Sequence, residues 1–183
     1  MATVAGPTSR SSAAVSAAGT GNASELSCRA ARTEQERAAH FRIRHQVFVR
    51  EQRLFLTPGG RGSGNDRDHR DGDPATILVI GLAGDDICGT VRLYPRPGPG
   101  LWQGDRLAVL PEYRRLGLGA PLVRFAVATA ARRGGRLMEA HIQPGNVAFF
   151  EWLGWERTGG LAPYAGIPHQ RMVIDLTAVP PDW

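Results

Sequence analysis

The chain has 183 residues, of which 42% are hydrophobic and 21% are charged, as is typical of a soluble globular protein of one domain. Its apolar runs fall well short of the ~20 residues that a membrane-spanning helix needs, and it contains no lysine, which excludes Schiff-base chemistry. The net charge of +5 arises from 22 basic residues scattered among 17 acidic ones, rather than from the arginine clusters that nucleic-acid binding requires.

Two features bear on the cellular location and on the domain boundary. Residues 1–25 are rich in Ala, Ser, Gly and Thr without a continuous apolar stretch, so they predict a disordered tail and not a secretory signal. Cys28 and Cys88 lack metal-ligand spacing, which favours buried thiols in a cytoplasmic protein. The use of arginine in place of lysine indicates a GC-rich, bacterial genome. One folded domain is therefore expected over residues 26–183.

A strand over residues 26–31 and a helix after it open the domain. Thr33 and Glu36 have the spacing of a capping box, so the helix is expected to begin at Thr33. Its apolar face is marked at intervals of four residues by Ala39, Ile43 and Val47. Arg44 and Glu51 lie further along this predicted helix. They have two interpretations: they belong to a solvated helix face, or they contact a substrate.

Residues 55–74 form a predicted loop rich in glycine and aspartate. Asp66 and Asp68 have the spacing that begins a calcium loop. However, Arg70 stands at a ligand position and Ile77 stands where a bidentate glutamate belongs, so no metal site is expected. The loop is otherwise typical of an exposed connector.

The next strands come in quick succession. Two apolar, β-branched segments, residues 75–83 and 87–94, are separated by Gly84-Asp85-Asp86 and predict a β-hairpin. A further strand is expected over residues 101–110, and it ends at Pro111 because proline cannot donate to a central ladder.

The stretch Arg114-Arg115-Leu116-Gly117-Leu118-Gly119 joins this strand to an amphipathic helix. The first turn of a helix leaves backbone N–H groups unpaired and carries partial positive charge, and glycines let an anion approach it closely. The stretch therefore predicts a phosphate cradle at the helix N-terminus.

Several loop classes compete for this stretch. A Walker A loop is excluded because it needs a lysine. A dinucleotide-binding loop needs a third glycine where Leu122 stands and should follow its strand directly, although Glu139 lies at the distance of its ribose-binding acid. An ordinary strand–loop–helix turn also remains open. The pattern R-x-x-G-x-G that begins at Arg114 fits best with a further class, described below.

Beyond the amphipathic helix, which Gly134-Gly135 are expected to end, residues 136–143 predict a strand. Two strands joined by a helix imply a right-handed parallel crossover. Asn146 is the expected N-cap of a short helix that ends before Gly154. The last two strands are expected over residues 156–159 and 169–176.

Four segments, in the right order, resemble the GNAT superfamily of acyl-CoA-dependent N-acyltransferases. They are R-x-x-V-F-V-x-E-Q at residues 44–52, R-x-x-G-x-G at 114–119, the segment 147–155, which is similar to A-x-x-F-Y-x-x-L-G-F, and G-I-P-H-x-x-M at 166–172. The resemblance implies an α/β (α+β) fold in which a mixed, mostly antiparallel sheet of about six or seven strands is flanked by helices. Its parallel crossover surrounds the phosphate loop. The subgroup that the chain resembles is the nitrogen-starvation-associated acetyltransferases.

The resemblance also implies where an acyl-CoA binds, with its pyrophosphate on the loop amides and its pantetheine beside the preceding strand. The implied cofactor-binding residues are Leu107, Ala108, Val109, Arg114, Arg115, Leu116, Gly117, Leu118, Gly119, Ala120, Asn146 and Phe150. The implied substrate-binding residues are Arg44, Phe48 and Glu51. In the similar proteins an acidic loop at the place of residues 55–74 borders the acceptor site. No metal is implied.

Two departures from the family pattern leave the acid–base roles unassigned. Phe150 stands where the family often has a tyrosine that protonates the leaving thiolate, and Gln103 lies near the place of a glutamate base. The remaining candidate catalytic residues are Asp105, His141, Tyr164 and His169. A histidine titrates near neutral pH and suits a base, whereas a tyrosine can supply the missing phenol.

The implied function is an N-acetyltransferase that moves an acetyl group from acetyl-CoA to the primary amine of a small molecule, by direct transfer in a ternary complex. Two alternatives remain open. One is an N-acyltransferase similar to acyl-homoserine-lactone synthases that uses an acyl carrier protein, and the other is a non-catalytic acyl-CoA sensor. The expected partner is a small amine, without nucleic acid or membrane, and the expected state is a monomer or a homodimer.

Overall fold

The computed structural model describes residues 25–55, 64–164, 167–180 and 183. The predicted tail of residues 1–25 lies outside the described residues except for Glu25. Within the described ranges the strands are β1 Leu26–Ala30, β2 Ile77–Ala83, β3 Asp86–Pro95, β4 Leu101–Val109, β5 Leu137–Ile142, β6 Glu156–Tyr164 and β7 Ile167–Asp175. The α-helices are α1 Glu34–Arg44, α2 Gly119–Arg132 and α3 Val147–Trp152, and a π-helical segment, His45–Glu51, continues α1. No helix in these ranges is long and apolar enough to cross a bilayer.

The strands form one sheet in the order β1-β2-β3-β4-β5-β7-β6. Neighbouring strands are antiparallel except β4 and β5, which run parallel and are connected through α2. The predicted fold class, a mixed and mostly antiparallel sheet with a parallel crossover around the glycine loop, is therefore confirmed.

The first helix begins as expected but ends differently. Thr33 Oγ1 accepts from the N–H of Glu36 at 3.1 Å and the Glu36 carboxylate accepts from the N–H of Thr33 at 3.2 Å, so the capping box is confirmed. After Arg44 the helix widens into the π-helical segment, whose end is marked by a bond from the N–H of Gln52 to the carbonyl of Val47. Helical periodicity alone does not distinguish the two forms.

The C-terminal half also departs from the sequence prediction in two places. Strand β6 extends to Tyr164 instead of ending at Gly159, because Gly159, with a φ of 65°, makes an irregularity and pairing with β7 resumes at Leu161. Asn146 occupies the N-cap position of α3, as expected, but its side chain makes no capping bond there and the turn Pro144–Asn146 leads into the helix.

Helix α2 packs closely on one face of the sheet. Leu118 and Leu122 are fully buried against β2 and β3. A Cβ atom at Gly81 or Gly89 would lie only 3.0 or 2.8 Å from the Leu118 side chain, so glycine at these positions lets the helix start approach the strands. This contact fixes the glycine loop relative to the sheet. On the opposite face, a smaller cluster joins the α1 side to β4 through Ile43, Val47, Phe48 and Ala108.

Both cysteines are free thiols on the strands. Cys88 is buried and Cys28 is half-buried, and burial raises the pKa of Cys28 to about 11. The Sγ of Cys88 donates a weak bond to the carbonyl of Gly81 at 3.8 Å. Protonated thiols in such surroundings are chemically inert, which agrees with their interpretation as structural residues.

Strands β4 and β5 pair over only three residues and then diverge. Their register joins Leu101–Gln103 to Leu137–Glu139. Beyond this point β4 continues to Val109 and β5 to Ile142 without pairing to each other in the described sheet. A bulge between β3 and β4 accompanies the divergence, and Arg106 there has a left-handed φ of 55°. The gap between the two strands opens the cavity described below.

His40 of α1 predicts an acid-sensitive fold. Its ring is fully buried, its Nε2 donates to the carbonyl of Val91 at 3.4 Å, and its Nδ1 has no partner in the described structure. Burial, helped by the charge of Arg44, lowers the pKa of His40 from 6.5 to about 3. Between these values the unfolded chain binds more protons than the folded one. The free energy of unfolding therefore falls as the pH drops below 6.5, with a slope that reaches ~1.4 kcal/mol per pH unit.

Urea unfolding of His40→Leu at about pH 7.5 and about pH 5 tests this contribution. We expect the variant to lose less stability between the two conditions than the parent, because leucine binds no proton. His69→Leu, which replaces an exposed histidine, is the control and should keep the parent's pH dependence. The same pH dependence in His40→Leu and the parent would contradict the prediction.

Candidate active site

A cavity of about 130 Å³ lies where β4 and β5 diverge. One part of its wall is apolar and includes Val123, Ala126, Met138, Ile142, Phe150 and Trp155. Another part is polar and includes Asp105, Arg106, His141, Asn146, Tyr164 and His169. The π-helical segment contributes Phe48. An apolar pocket with a few convergent polar groups is the usual form of a small-molecule site.

The glycine loop at the start of α2 has the features of the predicted anion cradle. Gly117 has a φ of 79°, and a Cβ atom there would meet nothing within 4 Å, so the surface above it is open. The amides of Leu118 and Gly119 donate to no carbonyl of the described residues. The bond from the Ala120 amide to the Gly117 carbonyl is long, at 3.4 Å. Unpaired amides at a helix start are the donors that a phosphate group needs, so the predicted cradle fits a diphosphate.

The two arginines of the loop are in different situations. Arg114 donates from Nε to the carbonyl of Val109 at 3.1 Å, and from its two terminal nitrogens to Glu51 at 2.7 and 2.6 Å. A predicted cofactor ligand and a predicted substrate ligand thus bind each other. Arg115 is exposed and forms no ion pair among the residues that the structure describes, which leaves its charge available beside the cradle.

The free edge of β4 offers a further donor. The N–H of Leu110 donates to the carbonyl of Cys88 at 2.9 Å. Because antiparallel pairing alternates along a strand, the N–H of Val109 points the other way, toward the gap with β5. Leu107 lines the cavity with its side chain. Ala108 packs under the α1 side instead, so only its backbone belongs to this edge.

Four aromatic and cationic side chains meet at the polar wall. The rings of Tyr164 and His141 stack with their centroids 5.3 Å apart and their planes at 2°. The His169 ring meets the Tyr164 ring edge-on, also at 5.3 Å between centroids. The Tyr164 hydroxyl accepts from Arg106 at 3.2 Å. The structure thus brings three of the predicted catalytic residues together. Arg106 was not predicted, since an arginine in a strand carries no local signal of such a role.

The surroundings of the polar side chains decide what each can do. Burial lowers the pKa of His141 below 6.5, so its imidazole is neutral at neutral pH and can accept a proton. His169 Nδ1 donates to the carbonyl of Ile167 at 3.0 Å, which orients its ring. Asp105 lines the cavity, but its two oxygens accept from Arg92 at 2.7 and 2.6 Å.

A buried ion cluster lies behind the polar wall. It consists of Arg44, Arg92, Arg106, Asp66, Asp68, Asp71 and Asp105. Arg44 and Arg92 are fully buried, and Arg92 reaches Asp68, Asp71 and Asp105 at 2.7, 2.8 and 2.6 Å. Although burial by itself raises the pKa of Asp71, the bonds and charges of Arg44 and Arg92 hold it well below its usual range. Asp71 therefore stays ionised at neutral pH.

This cluster corrects the interpretation of two sequence features. Arg44 is neither a solvated helix residue nor part of the cavity wall, because its guanidinium is used by Asp66 and Asp71. The acidic loop is not simply an exposed connector, because Asp66 is buried and Asp68 accepts from Arg92. Local charge patterns could not predict this, since the ion-pair partners of Arg44, Asp66 and Asp68 lie at least 22 positions away along the chain.

Other predicted residues lie as follows. Phe150 is buried against Trp155 in the cavity wall, with ring centroids 5.4 Å apart, and Asn146 lines the same cavity. Glu139 is buried in the sheet between Arg96 at 2.8 Å and Arg171 at 2.6 Å, so the dinucleotide-binding alternative, which needed it as an exposed ribose ligand, is wrong. Within the described ranges, no three His, Cys, Asp or Glu side chains are grouped as metal ligands.

Comparisons with known proteins agree with this geometry. The family model described as "Acetyltransferase (GNAT) family" matches residues 42–155. Comparison with curated proteins gives no match. The structure of an acyl-CoA N-acyltransferase from Pseudomonas aeruginosa is similar over 81% of this chain and 97% of its own, with 22% identity and a TM-score of 0.66.

Two further solved structures are similar. The CoA-dependent acyl-homoserine lactone synthase BjaI, with SAM and isopentyl-CoA, matches over 78% of this chain and 77% of its own, with 22% identity and a TM-score of 0.64. FeeM, an N-acyl amino acid synthase from uncultured soil microbes, matches over 84% and 92%, with 15% identity and a TM-score of 0.69. At these identities the similarity establishes the fold alone.

Replacing Arg92 should show how far the site depends on the ion cluster. Arg92→Leu leaves three carboxylates without their shared partner, so we expect it to lower the free energy of unfolding by ~3–5 kcal/mol. Arg157→Leu removes an exposed pair with Glu151 and should cost less than ~1 kcal/mol. Denaturant unfolding of both variants measures the difference, and equally small losses would contradict the prediction.

Proposed function

The chain belongs to the acetyltransferase (GNAT) family, and we propose that it transfers an acetyl group from acetyl-CoA to the primary amine of a small molecule. The observation that carries the proposal is the gap between β4 and β5. It has unpaired amides for a diphosphate beside it and a pair of imidazoles with a phenol in its wall. The acyl donor and the amine acceptor would meet between the loop amides and the imidazole and phenol groups. Direct transfer then needs no covalent enzyme intermediate.

The donor side uses mostly backbone groups. The amides of Leu118 and Gly119, with Arg115, would bind the diphosphate, and the free edge of β4 would pair with the amides of the pantetheine as an added strand does. The N–H of Val109 would then face the thioester carbonyl and stabilise the negative charge that develops on its oxygen. The acyl methyl would contact the apolar wall near Phe150.

The acceptor side supplies the proton transfers. His141, neutral at neutral pH, would take a proton from the ammonium so that the amine can attack the thioester carbon. As the new C–N bond forms and the C–S bond breaks, the Tyr164 hydroxyl would donate its proton to the leaving sulfur. Arg106, at 3.2 Å, would stabilise the phenolate that remains until it takes up the second proton, which the nitrogen loses as it becomes an amide. His169 and Phe48 would shape the pocket for the amine.

A second candidate is transfer of a longer acyl chain to an amine derived from an amino acid. The apolar part of the cavity wall favours it, because that part offers more contacts than a single acetyl methyl can use. The titratable side chains in the wall favour either enzyme over a non-catalytic sensor. The free thiols Cys28 and Cys88 support a cytoplasmic location for the reaction.

Calorimetry with acetyl-CoA tests the donor site. Gly117→Glu puts a carboxylate into the open space above the cradle, and we expect it to weaken binding at least about tenfold by repulsion of the diphosphate. Gly134 has the same φ of 79° and equally open surroundings at the other end of α2, so Gly134→Glu controls for backbone strain.

The parent and Gly134→Glu should bind acetyl-CoA, and an amine screen that follows release of the CoA thiol then identifies the acceptor. A parent that binds NAD in place of acetyl-CoA, or binds neither, would refute the proposed function.

The pH profile of turnover tests the roles of His141 and Tyr164. We expect kcat to be level near neutral pH and to fall below pH 6.5, because protonation of His141 removes the base. His141→Gln should lower kcat by ~10²–10⁴-fold and abolish that acidic limb, and Tyr164→Phe should lower kcat by a similar factor while the limb remains. An unchanged acidic limb in His141→Gln would assign the base elsewhere.

A further inference from the structure

We propose that Glu51 competes with the diphosphate of the acyl donor for Arg114, and that it thereby sets the affinity for the donor. The inference rests on the proposed acyl-CoA donor and adds a side chain that acts against its binding. Glu51 lies on the π-helical segment, 63 positions before Arg114 along the chain. Its carboxylate nevertheless accepts two short hydrogen bonds from Arg114, the first arginine of the glycine loop.

Each contact of Arg114 occupies a place on the donor path. Its Nε donates to the carbonyl of Val109, which is one of the backbone groups at the free edge of β4. Its own carbonyl accepts from the N–H of Gly117, so the residue is attached to the cradle. A donor that pairs with the edge therefore meets the Arg114 side chain, and a donor that binds the cradle lies beside the Arg114 backbone.

The charge balance at the cradle points the same way. Arg114 and Arg115 are adjacent, but only the first is neutralised by a carboxylate of the described chain. The hydrogen bonds from Arg114 hold the pKa of Glu51 below its usual range, so this carboxylate is ionised at neutral pH. Glu51 thus cancels one of the two positive charges that the diphosphate would otherwise meet.

The pair is built so that it can exchange partners. The side chains of Arg114 and Glu51 are 43% and 35% exposed, and an ion pair in such a position contributes little because water screens it. A diphosphate offers more negative charge and further acceptor oxygens to the same guanidinium. Donor binding therefore moves Arg114 from Glu51 to the diphosphate and uncovers the Val109 carbonyl.

Calorimetric titration with CoA separates competition from simple support of the loop. Glu51→Gln removes the competing charge, so we expect it to bind CoA about two- to fivefold more tightly than the parent, the range that corresponds to an exposed ion pair. Glu151→Gln is the matched control, because Glu151 holds Arg157 in the same exposed, two-bonded way and forms no ion pair with either loop arginine. It should bind CoA as the parent does. Pantetheine, which has no diphosphate, should bind the parent and Glu51→Gln equally.

The outcomes distinguish this inference from the proposed function. CoA binding by Glu51→Gln that is equal to or weaker than that of the parent overturns the competition, and makes Glu51 a support of the loop. Tighter binding of pantetheine as well as CoA also overturns it, because the effect would then not involve the diphosphate. Absence of CoA binding in the parent and in all variants refutes the proposed function itself.

Discussion

The divergence of β4 from β5 is the constraint on which the rest of the site depends. Two parallel strands that remain paired leave no free edge, whereas here pairing stops at Gln103 and Glu139. The gap separates an apolar wall beneath α2 from a polar wall of imidazoles and a phenol. It also leaves the N–H of Val109 without a strand partner. Cavity, donor edge and polar groups are thus consequences of one local break in the sheet.

The buried ion cluster stabilises the bulge at which β4 leaves β5. Arg106, at the bulge, donates to the carbonyl of Asp66 and to the Asp68 carboxylate at 3.2 Å each, and its remaining terminal nitrogen reaches Tyr164. Burying such charges costs solvation, which is offset only because each guanidinium has several short partners. The acidic loop therefore acts as a structural brace for the bulge, and the orientation of Tyr164 follows from it.

Much of the candidate site could be predicted because its signals are local. The capping box at Thr33 depends on residues within one helical turn, and the cradle around Gly117 depends on a glycine with positive φ before a helix start. His141, Tyr164 and His169 were predicted only as unassigned candidates. Their stacking could not be derived, because it requires the antiparallel register of β5, β7 and β6.

By itself, the sequence determined the order of the strands and α-helices, the family, and the place of the glycine loop between β4 and α2. These follow from residue types and spacings that act over a few positions. Only the tertiary structure decided that Arg44 is buried, that Arg106 orients Tyr164, and that Glu51 binds Arg114. The reason is physical: a charged side chain finds its partner through space, and the partner of Arg114 lies 63 positions away along the chain.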